Sequence, residues 1–132
     1  MSQETWANPA ETELPNWDKH LIPFNYRIVV MPIAPPKKIG SIIIADSVSD
    51  NHEWMNTTGR IVAMGAGAYK HPKYANLGLT EKDLPKTGDW VIYTPYQPFR
   101  FRYKDTRLIV IADEHIVGII PEGANPWDIR AV

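Results

Sequence analysis

Between residues 22 and 120 apolar side chains recur at every second position in short runs, most of them bounded by Gly, Pro, Asp or Lys. Period two marks strands, because successive side chains of an extended chain point to opposite faces. The first run starts at Ile22. Phe24, Tyr26, Ile28 and Val30 share one face, Asn25, Arg27, Val29 and Met31 the other, and Pro32 with the Pro35-Pro36 pair ends it. "GRIVAMGAG" predicts a strand from Arg60 to Met64 between glycines, and "DWVIY" (89–93), "FRFRY" (99–103), "RLIVI" (107–111) and "HIVGII" (115–120) predict four more. Short strands, no long amphipathic helical period and 12 prolines predict an all-β fold, a small barrel or sandwich.

Four segments depart from that rhythm. Residues 1–20 hold Pro9, Pro15 and several carboxylates with little periodicity, and predict an extended N-terminal arm. Trp6 and Trp17 lie in it. Aromatic residues are scarce in purely disordered tails, so these two are candidate anchors that dock the arm on its own body or on a neighbour. Residues 66–87 form an excursion without a core period, and residues 121–132 a C-terminal tail in which Trp127 is a third candidate anchor. The fourth is "KKIGSIIIADS" (37–47), where Ile42, Ile43 and Ile44 stand together among Lys, Gly, Ser and Asp. A buried strand and an exposed hydrophobic anchor both account for such a tripeptide. The expected organisation is therefore an arm (1–20), a barrel (21–120) with a loop at 33–58 and an insertion at 66–87, and a tail (121–132).

Composition narrows the chemistry. The formal net charge is -1, from 14 Lys plus Arg against 15 Asp plus Glu, which removes the global attraction that non-specific binders of nucleic acid or acidic membranes use. There is no cysteine, hence no disulfide frame, thiolate nucleophile or zinc ribbon, and a reducing cytoplasm fits. The acidic N-terminus lacks the apolar core of a secretory signal, and no apolar run reaches the length of a membrane span.

Enzyme signatures are weak. "GAGAYK" (65–70) lacks the third glycine of a dinucleotide fingerprint and the Gly-Lys-Ser/Thr ending of a phosphate loop, so a tight turn after a strand explains it better. The histidines at 20, 52, 71 and 115 stand apart, and "HEWMN" has only half of a zinc-protease motif, so no metal site is expected. Asp113 and Glu114 point apart as chain neighbours, and a solvated turn accounts for both. No catalyst emerges. In "PFRFRYKDTR" the alternation of aromatics with Arg100, Arg102, Lys104 and Arg107 has the look of a single-strand nucleic-acid binder. Period two gives the simpler reading, with Phe99, Phe101 and Tyr103 inward and the cations outward.

In order along the chain, "IPFNYRIVV" (22–30), "KKIGSIII" (37–44), "GRIVAMGAG" (59–67), "LPKTGDWVIY" (84–93) and "RLIVIADEHIVGII" (107–120) resemble the GroES-type co-chaperonin family. Trp90 in "GDWV" and the arms beyond the barrel look most like phage-encoded members. The resemblance implies a GroES-like barrel and a homo-oligomeric ring, usually a heptamer, closed by pairing the first strand of one subunit with the last strand of the next. Tyr26, Ile28 and Val30 would then meet Ile116 and Ile119 of a neighbour. The insertion after "GAGAYK" matches the family's roof. The resemblance also implies that residues between the first two strands form a chaperonin-binding loop, with Gly40 and Ser41 as a flexible approach and Ile42, Ile43 and Ile44 as the tripeptide that enters an apical groove of the chaperonin ring. This chain would need no cofactor, since ATP is bound and hydrolysed by the partner. Two departures stand out: Ser41 replaces a frequent second glycine, and the stretch from Asp46 to Thr58, with Trp54 and Met55, is longer than usual.

The co-chaperonin reading places the protein in a bacterial cytoplasm, during phage infection if it is phage-encoded. A second reading, of a different class, is a virion structural protein that reuses the barrel for capsid decoration or stabilisation, its Trp-bearing arms hooking capsid neighbours.

Overall fold

The computed structural model describes residues 7, 21–33, 38–39, 42–43, 57–94, 98–103 and 106–126. The strands are β1 (Arg27–Pro32), β2 (Lys38–Ile39), β3 (Ile42–Ile43), β4 (Thr58–Met64), β5 (Trp90–Tyr93), β6 (Phe99–Tyr103), β7 (Thr106–Ala112) and β8 (Ile116–Ile120). One short helix, α1 (Pro72–Asn76), and 3-10 turns at Glu81–Asp83 and Asp113–His115 complete the described elements. Six strands pair antiparallel in the order β6-β7-β1-β4-β5-β8, while β2 and β3 make a separate two-stranded ladder.

The sheet curls into a barrel. Ile109 and Ile111 of β7 pack in one buried cluster with Ile28 and Val30 of β1, Ile61 of β4 and Val91 and Tyr93 of β5, and Ile116 of β8 leans on it. β7 and β8 stand near opposite ends of the strand order, so their side chains share a cluster only if the sheet bends round to enclose it. A register shift between Val29 and Val30 opposite β4, and another between Ile92 and Tyr93 opposite β8, supply the local bending that a flat ladder lacks.

β1 is apolar on both faces because both are covered. Ile28 and Val30 face the enclosed cluster; Val29 and Met31 join a second one with Val62, Ala63, Leu108 and Ala7, flanked by Leu21, Trp90, Phe101, Tyr103 and Val110.

The structure corrects the start of the first strand. Regular pairing begins at Arg27, not at Ile22, although the alternation runs through both. Asn25 adopts a left-handed conformation, φ 59°, and its carbonyl accepts the Gly67 amide at 2.8 Å. A Cβ on Gly65 or Gly67 would overlap Asn25, so the 23–26 turn and the 65–68 turn lock together only with glycine at both positions. "GAGAYK" is the tight turn its composition predicts, with Ala68 bonded back to Gly65 and Lys70 to Gly67.

The charged strand also differs in detail. Phe101 and Tyr103 pack on the second cluster and Arg102 is exposed as expected, but Phe99 is exposed and Arg107 buried.

Candidate functional site

Three features of the barrel's periphery bear on function: the loop between β1 and β4, the β8 edge that no described strand covers with the segment preceding β1, and the insertion packed beside them.

The loop leaves the sheet at Ile33 and returns at Thr58, and its base is closed by the Ile33 amide donating to the Thr58 carbonyl at 3.1 Å. Within it Lys38 pairs with Ile43 and Ile39 with Ile42, in a ladder not joined to the six-stranded sheet. The chain between those pairs is Gly40-Ser41, a dipeptide of the kind two-residue hairpins favour. Gly40, Ser41 and Ile44 lie outside the described residues, as do Trp6, Trp17 and Trp127. The ladder on either side of Gly40-Ser41 was not foreseen, since those residues were expected only as a flexible approach to the tripeptide.

Ile28 and Val30 do not form a subunit edge, which is a correction. β1 lies in the middle of the sheet, paired with β4 on one side and β7 on the other, and both side chains are sealed inside the chain's own barrel. The segment just before β1 is what faces outward. Leu21 turns inward, whereas Ile22 and Phe24 are 80% and 77% exposed and Tyr26 is partly so. At the far end of the sheet β8 pairs only with β5 among the described strands. There Ile116 points inward, while Val117 is 66% exposed and Ile119 is also exposed.

Beside that edge stands the insertion, whose short helix the sequence reading missed. His71-Pro72 was its available signal: Pro72 opens the helix, and His71 Nδ1 accepts the Lys73 amide at 3.0 Å, which caps it. Tyr74 packs edge-on against Tyr69, ring centres 5.0 Å apart. Leu77 and Leu79 follow, exposed, around Gly78 at φ 81°. Together Tyr74, Leu77, Leu79, Leu84, Val117 and Ile119 line a groove of about 540 Å³ along the β8 edge, which Lys73, Asp83 and Glu114 also line.

Asp113 fixes the insertion to the barrel. It is 6% exposed, not the solvated turn residue its position implies. Its Oδ2 accepts the Tyr69 amide at 2.9 Å and its carbonyl the Tyr69 hydroxyl at 2.7 Å, while its own amide donates to the Tyr26 carbonyl at 3.2 Å. Tyr69 sits at φ 59°, which costs a tyrosine about 1–2 kcal/mol, and the two bonds to Asp113 offset that cost. Burial, and then the Asp113 charge, push the Tyr69 hydroxyl above its ordinary range, so it remains a neutral donor.

Glu114 points the other way and meets Lys73 Nζ at 3.1 Å. That bond holds the Glu114 carboxyl below its usual range and Lys73 above its own. The pair's contribution is present at neutral pH and is lost as pH falls through the lowered carboxyl value. It is small, because both side chains are exposed. Among the described residues no three His, Asp or Glu are grouped to hold a metal, and no helix is long and apolar enough to cross a membrane.

Asp113→Ala is expected to lower folding stability by about 1–3 kcal/mol, because the Tyr69 amide loses its partner. Tyr69→Phe, losing one bond, is expected to cost about 1 kcal/mol. Denaturation midpoints at equal protein concentration check both.

The profile of the chaperonin 10 kDa subunit family matches residues 20–120. The chain belongs to that family. The match begins beside Leu21 and ends at Ile120, the last residue of β8, so it spans the barrel from the outward-facing segment to the β8 edge. Over 101 residues the chain is 26% identical to the co-chaperonin GroES of Lactobacillus delbrueckii subsp. bulgaricus, covering 76% of this chain and 98% of that protein. Residues 1–19 and 121–132 lie outside the matched span.

Proposed function

We propose that this protein is a co-chaperonin: a homo-oligomeric ring, a heptamer, that caps an ATP-driven chaperonin and assists protein folding, without being an enzyme itself. The observation that carries this reading is the family match across the whole barrel. Ile42, Ile43 and Ile44 are the part that enters the partner; Ile42 and Ile43 lie in a two-stranded ladder separate from the six-stranded sheet. ATP stays with the chaperonin.

The ring closes where the barrel leaves apolar surface. Residues 22–26 of one subunit lie against the β8 edge of the next, carrying Ile22 and Phe24 towards Val117, Ile119 and the groove beside them. This assignment keeps Tyr26 and Ile119 at the boundary, leaves Ile116 facing inward from β8, and removes Ile28 and Val30 from the boundary. An open edge flanked by exposed apolar side chains invites pairing, and a closed ring satisfies it without open-ended growth.

Native mass measurement with and without a chaperonin ring and ATP tests the proposal. A discrete homo-oligomer that adds to the chaperonin only with nucleotide is the expected result. A chain that stays monomeric and never joins the ring would sink it, and recovery of the protein as a component of purified virions would favour the capsid role.

A further inference from the structure

We propose that Ala7, which precedes the family-matched span, is a clamp that holds the root of the β1–β4 loop. β7 pairs with one edge of β1 only from Arg27 to Val30; from Leu108 to Thr106 it pairs with β6 alone. Met31 to Ile33 therefore continue past the last residue of β1 that pairs with β7. Ile33 donates to Thr58 on the β4 side, so by strand alternation the Pro32 carbonyl faces the vacated side, and the Ala7 amide occupies it at 2.9 Å. Ala7 also forms a parallel bridge with Ile33.

Burial supports the same assignment. Ala7 is 4% exposed and belongs to the outer cluster with Val29, Met31, Val62, Ala63 and Leu108. A methyl group lets the arm approach the sheet closely, and the Ala7 donor satisfies a carbonyl that would be costly to leave buried and unpaired. Ile33, the last described residue before the loop, is thereby gripped from both sides, by Thr58 and by Ala7. The loop starts from a fixed strand in place of a free chain. Under the co-chaperonin reading, on which this consequence rests, a fixed root reduces the ordering cost each time the loop binds.

Both tests use the isolated protein without chaperonin, so a failure of the capping role leaves them interpretable. Ala7→Pro removes the N–H donor, and Ala7→Gly keeps it. In Ala7→Pro, amide exchange at Ile33 and tryptic cleavage after Lys37 and Lys38 are expected to accelerate about two- to tenfold, the range for one lost hydrogen bond, with Ala7→Gly near the parent. A folded Ala7→Pro variant with unchanged exchange and cleavage overturns the clamp. Should that variant fail to fold, cross-linking decides. The chain has no cysteine, and bridged neighbours lie within disulfide reach, so an Ala7→Cys, Ile33→Cys pair is expected to close within one chain under mild oxidation. No cross-link, or one formed only between chains, rejects an arm that clamps its own loop.

Discussion

Ile43→Asp is expected to abolish the stimulation of client refolding by a chaperonin with ATP, while leaving the barrel's thermal unfolding nearly unchanged. Burying three isoleucine side chains in an apolar slot contributes about 5–9 kcal/mol per loop before the costs of ordering and association are subtracted. Those costs consume much of it, so in the proposed cap one loop would bind weakly and the ring would hold by having several. An aspartate at the centre of the tripeptide removes one of the three apolar contributions. It also asks an ionised carboxylate to leave water, which costs more than the contact it replaces. Because every subunit carries the substitution, the loss repeats around the ring and the margin for capping disappears. The barrel is spared, since β2 and β3 form a ladder separate from the six-stranded sheet. Refolding yield with and without the variant is the measurement, and full stimulation by a folded Ile43→Asp ring would refute the role given to the tripeptide.

Phe24→Asp should convert the oligomer to monomers without unfolding the subunit. In the single chain Phe24 is 77% exposed, so little subunit stability depends on it. In the proposed ring it is covered by the next subunit, where a phenylalanine contributes about 1.5–3 kcal/mol per boundary and a carboxylate would be desolvated. Closure multiplies the penalty by the number of boundaries. Native mass spectrometry reports the assembly and far-ultraviolet circular dichroism the fold. Monomers with an intact β spectrum are expected; an unchanged oligomer would show that the ring closes through some other surface. Val30→Asp offers the contrast. Its side chain lies in the enclosed cluster, so that substitution should unfold the subunit itself.

The strands from β4 to β8 were legible because their alternation is local and turn residues flank them. Phe99–Tyr103 has the predicted bounds, and Trp90–Tyr93 and Ile116–Ile120 each begin one residue later than predicted. The all-β class follows from the same signal. Arg27–Pro32 was legible as a strand but not as a central one: apolar residues on both faces fit a buried middle strand and a subunit edge equally well, and only the flanking β4 and β7 decide. Ile22 to Tyr26 alternates like a strand, yet Asn25 turns there to meet glycines about forty residues away. Asp113 was misread for the same reason, since the tyrosine that buries it is 44 positions distant. In the arm the tryptophans drew attention, whereas the residue seen docking is an alanine that no hydrophobic pattern singles out.

The sequence by itself determined the local facts: where the chain extends and turns, which positions alternate, and that the ordered motifs resemble the GroES-type co-chaperonin family. Side-chain period and turn chemistry act over a few residues, so they can be read from a few residues. Tertiary structure alone decided which strand is central, which apolar residues stay outside, that Asp113 holds the insertion, and that Ala7 grips the loop's root. Each of those depends on a hydrogen bond or contact between segments far apart along the chain, and the free energy of such a contact belongs to neither segment alone.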